Sequence, residues 1–204
     1  MSESVQLAEG TLLWEPSAAF RDATTLADYL AWLERERGLR FADYAALWRW
    51  SVDDLEAFWS SIVDYYAILL RGTWSRVLGR RTMPGAIWFD GAELNYAEVL
   101  FEHIRPDRPA LLFQSERHPL REMSGAELEA SVAAVAAGLR RLGVGRGDRV
   151  VAVVPNIPEA LIAFLACASL GAIWASCSPD FGTRSLIDRF AQISPKVLLA
   201  VDGY

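Results

Sequence analysis

The sequence predicts an α/β protein: a helical N-terminal segment followed by a βαβαβαβ succession that forms a mainly parallel sheet. Three observations carry this. Before residue 70 the apolar side chains recur with helical period. From residue 110 onward, short Val/Leu/Ala-rich runs alternate with helix-length amphipathic segments. Capping residues stand at most of the junctions. Strands that alternate with helices pair in parallel, through right-handed crossovers that lay the helices on the sheet faces.

In the first part, residues 25–37 place Leu26, Tyr29, Leu30 and Leu33 on one helical face. Thr25 with Asp28 suggests an N-terminal cap, and Gly38 a stop. A short helix is expected between Phe41 and Trp48. A further helix is expected from Ser51, with Trp48 and Trp50 just ahead of it and a stripe of Leu55, Phe58, Trp59, Ile62, Tyr66 and Leu69. That aromatic stripe reads as a face that docks on a second unit. Asp53, Asp54 and Glu56 fall in a first helical turn, where negative charge is favoured, and this weighs against a metal or acid/base pair. Arg71, Arg76, Arg80 and Arg81 read as a solvated connector.

In the second part, Ala110 to Phe113 is the first strand. Ser124 and Glu127 form a capping box that opens a helix through Leu142, with Leu128, Val132, Val135 and Leu139 inward and Gly143 as its stop. Arg149 to Val154 is a Val-rich strand of the kind buried on both faces. Pro158 suits the first turn of a helix that runs to about Ser169 and ends at Gly171. Ala172 to Ser176 is the third strand. A helix from Ser185 to Ile193 follows, stopped by Pro195, and Lys196 to Val201 is the fourth strand.

The chain has 204 residues, 52% of them hydrophobic, with a formal charge of −6. A chain of this size can bury a core without disulfide or metal. The negative balance argues against nucleic acid and anionic membrane surfaces as partners. No apolar run approaches the roughly 20 residues of a spanning helix. The first ten residues lack the pattern of a signal peptide. Cys167 and Cys177 make no disulfide framework, which suits a reducing compartment, and a cytoplasmic location is expected. Residues 1–64 hold 12 acids and 5 bases, and residues 65–204 hold 14 acids and 15 bases. The two parts are therefore expected to be separate structural units.

Parallel sheets place ligand chemistry beyond the carboxyl ends of their strands. This points to Pro155-Asn156, Cys177 to Gly182, and Asp202 onward. The run Gly143-Val144-Gly145-Arg146-Gly147-Asp148 follows a helix and precedes a strand, the wrong context for a phosphate cradle, so it reads as a helix stop and a turn. That also argues against a small nucleotide-binding oxidoreductase. Cys177 is a candidate nucleophile, but a small buried cysteine is the better fit, because His103 and His118, the only histidines, lie far away in sequence. A structural zinc site is not expected.

Several stretches together resemble a known family. Trp88-Phe89-Asp90-Gly91-Ala92-Glu93-Leu94-Asn95-Tyr96-Ala97-Glu98 resembles the leading segment of the acetyl-CoA synthetase branch of the adenylate-forming enzymes. Gly147-Asp148-Arg149-Val150 through Pro155-Asn156-Ile157-Pro158-Glu159-Ala160 resembles that superfamily's first βα unit, and Gly171-Ala172-Ile173-Trp174-Ala175 also matches it. Ser176-Cys177-Ser178-Pro179-Asp180-Phe181-Gly182, with Asp188-Arg189-Phe190, is most similar to the acetoacetate-activating members, and Leu13-Trp14-Glu15-Pro16 fits them too. The resemblance covers nearly the whole chain.

It implies that 1–87 is the helical N-terminal segment of the acetyl-CoA synthetase type, and that 88–204 is the first α/β portion of an AMP-binding domain. It implies an acid–thiol ligase that uses ATP, Mg and coenzyme A, with acetoacetate as the small-molecule substrate. The family's Ser/Thr/Gly-rich loop ending in lysine, its ribose-binding acid and its C-terminal domain do not occur here. Lys196, the only lysine, fits none of the family's lysine roles. The chain is therefore expected to be an N-terminal fragment without catalytic residues or metal. Alone it should be inactive, bind no cofactor and tend to self-associate. Ser178, Pro179 and Asp180 occupy the loop that in relatives lies beside the nucleotide of coenzyme A. The relatives carry an aromatic residue and glycines there, and the same residues also read as a plain turn into the next helix. The reading from another class is a stand-alone α/β binding or interaction module without catalysis.

Overall fold

The computed structural model describes residues 8–203. The chain divides into two compact units, Met1–Ala92 and Glu93–Tyr204.

The first unit begins with α1 (Ala18–Asp22) and α2 (Thr25–Arg37). The α2 cap is Thr24 rather than Thr25: its hydroxyl accepts from the Ala27 N–H at 3.2 Å. Gly38 closes α2 in the left-handed region, at φ +66°. Next come α3 (Tyr44–Asp53) and α4 (Leu55–Tyr65). The helix expected from Ser51 therefore starts later, and Ser51, Trp48 and Trp50 all lie inside α3. Asp54 causes the difference. Its N–H ends α3 on the Trp50 carbonyl, while its carboxylate accepts from the Ala57 N–H at 3.1 Å and opens α4.

Tyr29, Leu33 and Leu47 form the core of this unit, with Trp32, Phe41, Trp50 and Ile62 packed against them. The α4 stripe finds partners inside the unit. Phe58 meets Trp50 edge-on at 5.7 Å, and Trp59 meets Trp88 at 5.8 Å. Trp88 belongs to β2 (Ile87–Trp88), which pairs antiparallel with β1 (Leu78–Arg80). Arg80 is thus a strand residue and not part of a solvated connector; its Nε donates to the Gly85 carbonyl at 2.7 Å. The β1–β2 pairing holds Trp88 in the first unit, and the division between the two compact units falls after Ala92.

The second unit opens with α5 (Tyr96–Glu102), capped by Asn95. Then come β3 (Leu111–Phe113) and β4 (Arg121–Met123), joined as an antiparallel hairpin. The first expected strand therefore lies outside the parallel sheet. After Phe113 the chain turns at Ser115–His118, and β3 finds its partner locally. The capping box forms as expected at the start of α6 (Gly125–Arg141): Ser124 N–H and Oγ–H both donate to Glu127, whose N–H returns to Ser124 Oγ.

The parallel sheet comprises β5 (Arg149–Val153), β6 (Ile173–Cys177) and β7 (Val197–Ala200), in the order β6-β5-β7. Between them lie α7 (Pro158–Ser169), with Pro158 in its first turn, and α8 (Thr183–Ala191). The core joins Leu128, Val132, Ala136 and Leu139 of α6 to Val150 of β5 and Ile162, Leu165, Ala166 and Cys167 of α7. Central β5 is buried at Val150, Val151 and Ala152, as its continuous Val-rich run predicts.

Candidate functional site at the carboxyl ends of the sheet

The register aligns the strand ends: Val153 of β5 stands beside Cys177 of β6 and Ala200 of β7. The chain leaves β5 to one side for β6, then returns past β5 to β7. Right-handed crossovers then put α7 and α8 on opposite faces, and the sheet's switch point lies between β5 and β7. A cleft of about 730 Å³ opens there, lined by Val154, Ile157 and Pro158 after β5, Leu199 and Val201 of the β7 side, and Phe113 and Trp174. His118, Arg121 and Glu159 also line it. The cleft is of ligand size, and its walls are mostly apolar.

The loop after β6 holds Ser178, Pro179 and Asp180. Ser178 Oγ donates to Asp180 Oδ2 at 2.6 Å and accepts from the Asp180 N–H at 3.3 Å. The Phe181 N–H closes the turn on the Ser178 carbonyl at 3.2 Å. The Arg189 guanidinium lies 4.7 Å from the centre of the Phe181 ring, which brings positive charge beside the loop. Gly182 then opens α8.

The other residues singled out by sequence have structural tasks. Cys177 is half-buried at the end of β6. Cys167 is buried in the core, and burial pushes its thiol up to about 11, so the reactive thiolate is disfavoured at neutral pH. His103 follows α5 with Nδ1 2.8 Å from the Val99 carbonyl, and His118 sits in the β3–β4 turn with its N–H on Ser115. Asp54 is a cap, Glu56 lies in the first turn of α4, and Asp53 is the last residue of α3. Among the described residues there is no group of three or more His, Cys, Asp or Glu that could hold a metal ion.

The 143–148 run is a turn, as its context predicts. The N–H groups of Gly143, Val144, Gly145, Gly147 and Asp148 all bond within the protein, so they cannot cradle a phosphate. Sequence reasoning left Lys196 without a role. It bridges this turn, donating to Asp148 Oδ2 at 3.0 Å and to the Gly143 carbonyl. The one signal in the sequence was its solitude: a single lysine in an arginine-rich chain.

The fold and its crevice define an α/β domain with a ligand-sized cleft at the carboxyl ends of its parallel strands. The description of AMP-binding enzymes matches residues 101–203, and that of the acetyl-coenzyme A synthetase N-terminus matches residues 44–99. The chain belongs to the AMP-binding enzyme family. It is similar to an acetoacetyl-coenzyme A synthetase of Rhizobium meliloti, 38% identical over 94% of this chain and 29% of that protein. An acetoacetyl-CoA synthetase of Xenopus tropicalis is 36% identical over 97% of this chain and 30% of its own length. The solved structure of an acetoacetyl-CoA synthetase from Streptomyces lividans superposes with a TM-score of 0.89 at 47% identity, over 94% of this chain and 30% of that one. The chain thus spans about 30% of the length of the relatives it matches. No helix among the described residues is long and apolar enough to cross a membrane.

Proposed function

We propose that these 204 residues serve as the N-terminal part of an ATP-dependent, AMP-forming ligase that joins acetoacetate to coenzyme A in the cytoplasm. The observation that carries the reading is similarity along nearly the whole chain: acetoacetyl-CoA synthetases match both units, not the α/β unit alone. The reaction activates a poor electrophile. A carboxylate oxygen of acetoacetate bonds to the α-phosphorus of ATP as the bond to pyrophosphate breaks. The thiol of coenzyme A then attacks the carbonyl carbon, and AMP leaves.

Charge on the phosphoryl group must be stabilised and water excluded from the adenylate. Among the described residues the lysine is engaged by Asp148 and Gly143, and no group of three or more His, Cys, Asp or Glu could hold a metal ion. No step is therefore assigned to them.

The Ser178–Asp180 loop is proposed to lie beside the nucleotide of coenzyme A. Its place at a strand's carboxyl end, just before α8, supports this. Asp180 opposes a phosphate there, and Arg189 beside Phe181 offsets that charge.

The test is pyrophosphate release by a protein of the relatives' length that contains these residues. Release should require both acetoacetate and ATP, and acetoacetyl-CoA should appear when coenzyme A is added. The 204-residue chain alone should show neither. Turnover by the 204 residues alone, or a full-length protein indifferent to acetoacetate, would overturn the reading.

A further inference from the structure

Arg149 opens β5, and its side chain reaches the turn that leads from α8 into β7. Its Nε donates to the Ile193 carbonyl at 2.8 Å and its Nη2 to the Ser194 carbonyl at 2.9 Å. Its Nη1 donates to the Gly147 carbonyl at 3.1 Å, and its own carbonyl accepts from the Lys196 N–H at 2.8 Å. One residue thus grips the 193–196 turn with both side chain and main chain. Carbonyls past the end of a helix lack intrahelical partners, and a planar guanidinium fork can meet several at once. This turn also holds Ser194 in the left-handed region, at φ +47°, just before Pro195.

The gripped turn lies at the amino end of the parallel sheet, and the loop after β6 lies at the carboxyl end. Helix α8 spans the distance between them. At its start, Gly182 supplies no side-chain cap, so the side-chain anchor of this segment is at its far end. The Ile193 N–H donates to the Phe190 carbonyl at 3.2 Å, which makes the turn continuous with the last turn of α8. Arg189 stands in that same last turn, and its guanidinium reaches back to within 4.7 Å of the centre of the Phe181 ring. A contiguous path therefore runs from Arg149 through Ile193, Phe190 and Arg189 to Phe181.

We propose that Arg149 is a positioning residue for coenzyme A: by holding the Ile193 and Ser194 carbonyls it sets the end of α8, and so keeps Arg189 over Phe181 at the loop after β6. This rests on the reading that the loop lies beside the nucleotide of coenzyme A. Arg149 itself touches no substrate and acts only through α8.

Arg149→Lys and Arg149→Leu, in a protein of the relatives' length, test this. Lysine keeps the charge and loses the fork; leucine loses both. The KM for coenzyme A should rise about threefold with lysine and about tenfold with leucine, the range of residues that act at a distance. Acetoacetate-dependent exchange of pyrophosphate into ATP should be unchanged. Hydrogen exchange should quicken across 183–194 and stay at the parent's rate in α7. If Arg149→Leu does not fold, Arg149→Lys carries the test alone.

The double variant Arg149→Lys with Arg189→Ala separates positioning from general loosening. Since Arg149 acts through Arg189, its KM for coenzyme A should be no higher than that of Arg189→Ala alone. Independent, multiplying effects overturn the proposal. So does a KM for coenzyme A that ignores both Arg149 variants while the exchange still requires acetoacetate. Exchange that is indifferent to acetoacetate in the parent protein removes the proposed function, and this inference with it.

Discussion

Lys196 Nζ donates to Asp148 Oδ2 at 3.0 Å and ties the start of β7 to the turn that precedes β5. The same carboxylate oxygen accepts from the Gly145 N–H at 2.9 Å, and the Lys196 N–H donates to the Arg149 carbonyl at 2.8 Å. Two segments 48 residues apart in sequence are thus pinned at one corner of the sheet. The only lysine of the chain therefore serves the fold at this corner.

That corner should show in acid. The Gly145 N–H, and after it the Lys196 ammonium, hold the Asp148 carboxyl below the usual carboxylate range. A carboxyl lowered in the folded state stabilises it above the unfolded value of about 4, and that stabilisation is lost as pH falls through the folded value. Glu127 and Asp107 are lowered too and act in the same direction. Melting temperature should therefore hold from pH 7 to about 5 and fall toward pH 3. Asp148→Asn should flatten part of that fall, and Lys196→Met should lower the pH 7 melt by a smaller amount than Asp148→Ala. Circular dichroism melts across pH check both; an Asp148→Asn profile parallel to the parent would contradict the first.

In the first unit, Tyr29 and Ser61 form a buried hydroxyl pair, Oη to Oγ 2.6 Å. Ser61 also donates to the Phe58 carbonyl, so its oxygen accepts from Tyr29. Burial is the first cause that raises the Tyr29 phenol above its ordinary range. Ser61→Ala leaves the phenol without that acceptor and should cost about 1–3 kcal/mol. Tyr29→Phe in the Ser61→Ala background removes the stranded group and should recover part of the loss. Urea denaturation of the two single variants and the double variant gives the coupling; strict additivity would mean that the pair does not interact.

The sequence disclosed elements whose signals were local and redundant. Ser124 with Glu127 fixed the start of α6, Pro158 that of α7, and the unbroken Arg149–Val154 run marked the central strand. It failed where one residue served two elements, as Asp54 does between α3 and α4. It also missed β4, because Arg121 and Glu122 resemble loop residues and gain strand character only by pairing with Phe113 and Leu112. The strand-end crevice was legible, since alternating strands and helices imply it. The hairpin residues that wall the cleft and the bridge made by Lys196 were not. They depend on contacts across more than forty residues, which no local pattern encodes.

Asn95 fastens α5 to α7. Its Oδ1 accepts from the N–H groups of Ala97 and Glu98, and its Nδ2 donates to the Ala168 carbonyl at 2.9 Å. Asn95→Ala loses the cap and the cross-link together and should cost about 2 kcal/mol. Asn95→Asp keeps the cap and loses the donor, so it should fall between. Hydrogen exchange should locate the loosening in α5 first; uniform loosening of the unit would argue that α5 does not open independently.

The loop after β6 gives the sharpest functional prediction. If Asp180 faces a phosphate of coenzyme A, its charge opposes binding by about 1 kcal/mol at close range in water. In a protein of the relatives' length, Asp180→Asn keeps an acceptor for the Ser178 hydroxyl and removes the charge. The KM for coenzyme A should then fall about fivefold. Arg189→Ala removes the offsetting guanidinium at the Phe181 ring and should raise that KM. Acetoacetate-dependent exchange of pyrophosphate into ATP, which needs no coenzyme A, should be unchanged in both. A KM for coenzyme A that ignores both substitutions would reduce 178–182 to a turn that leads into α8.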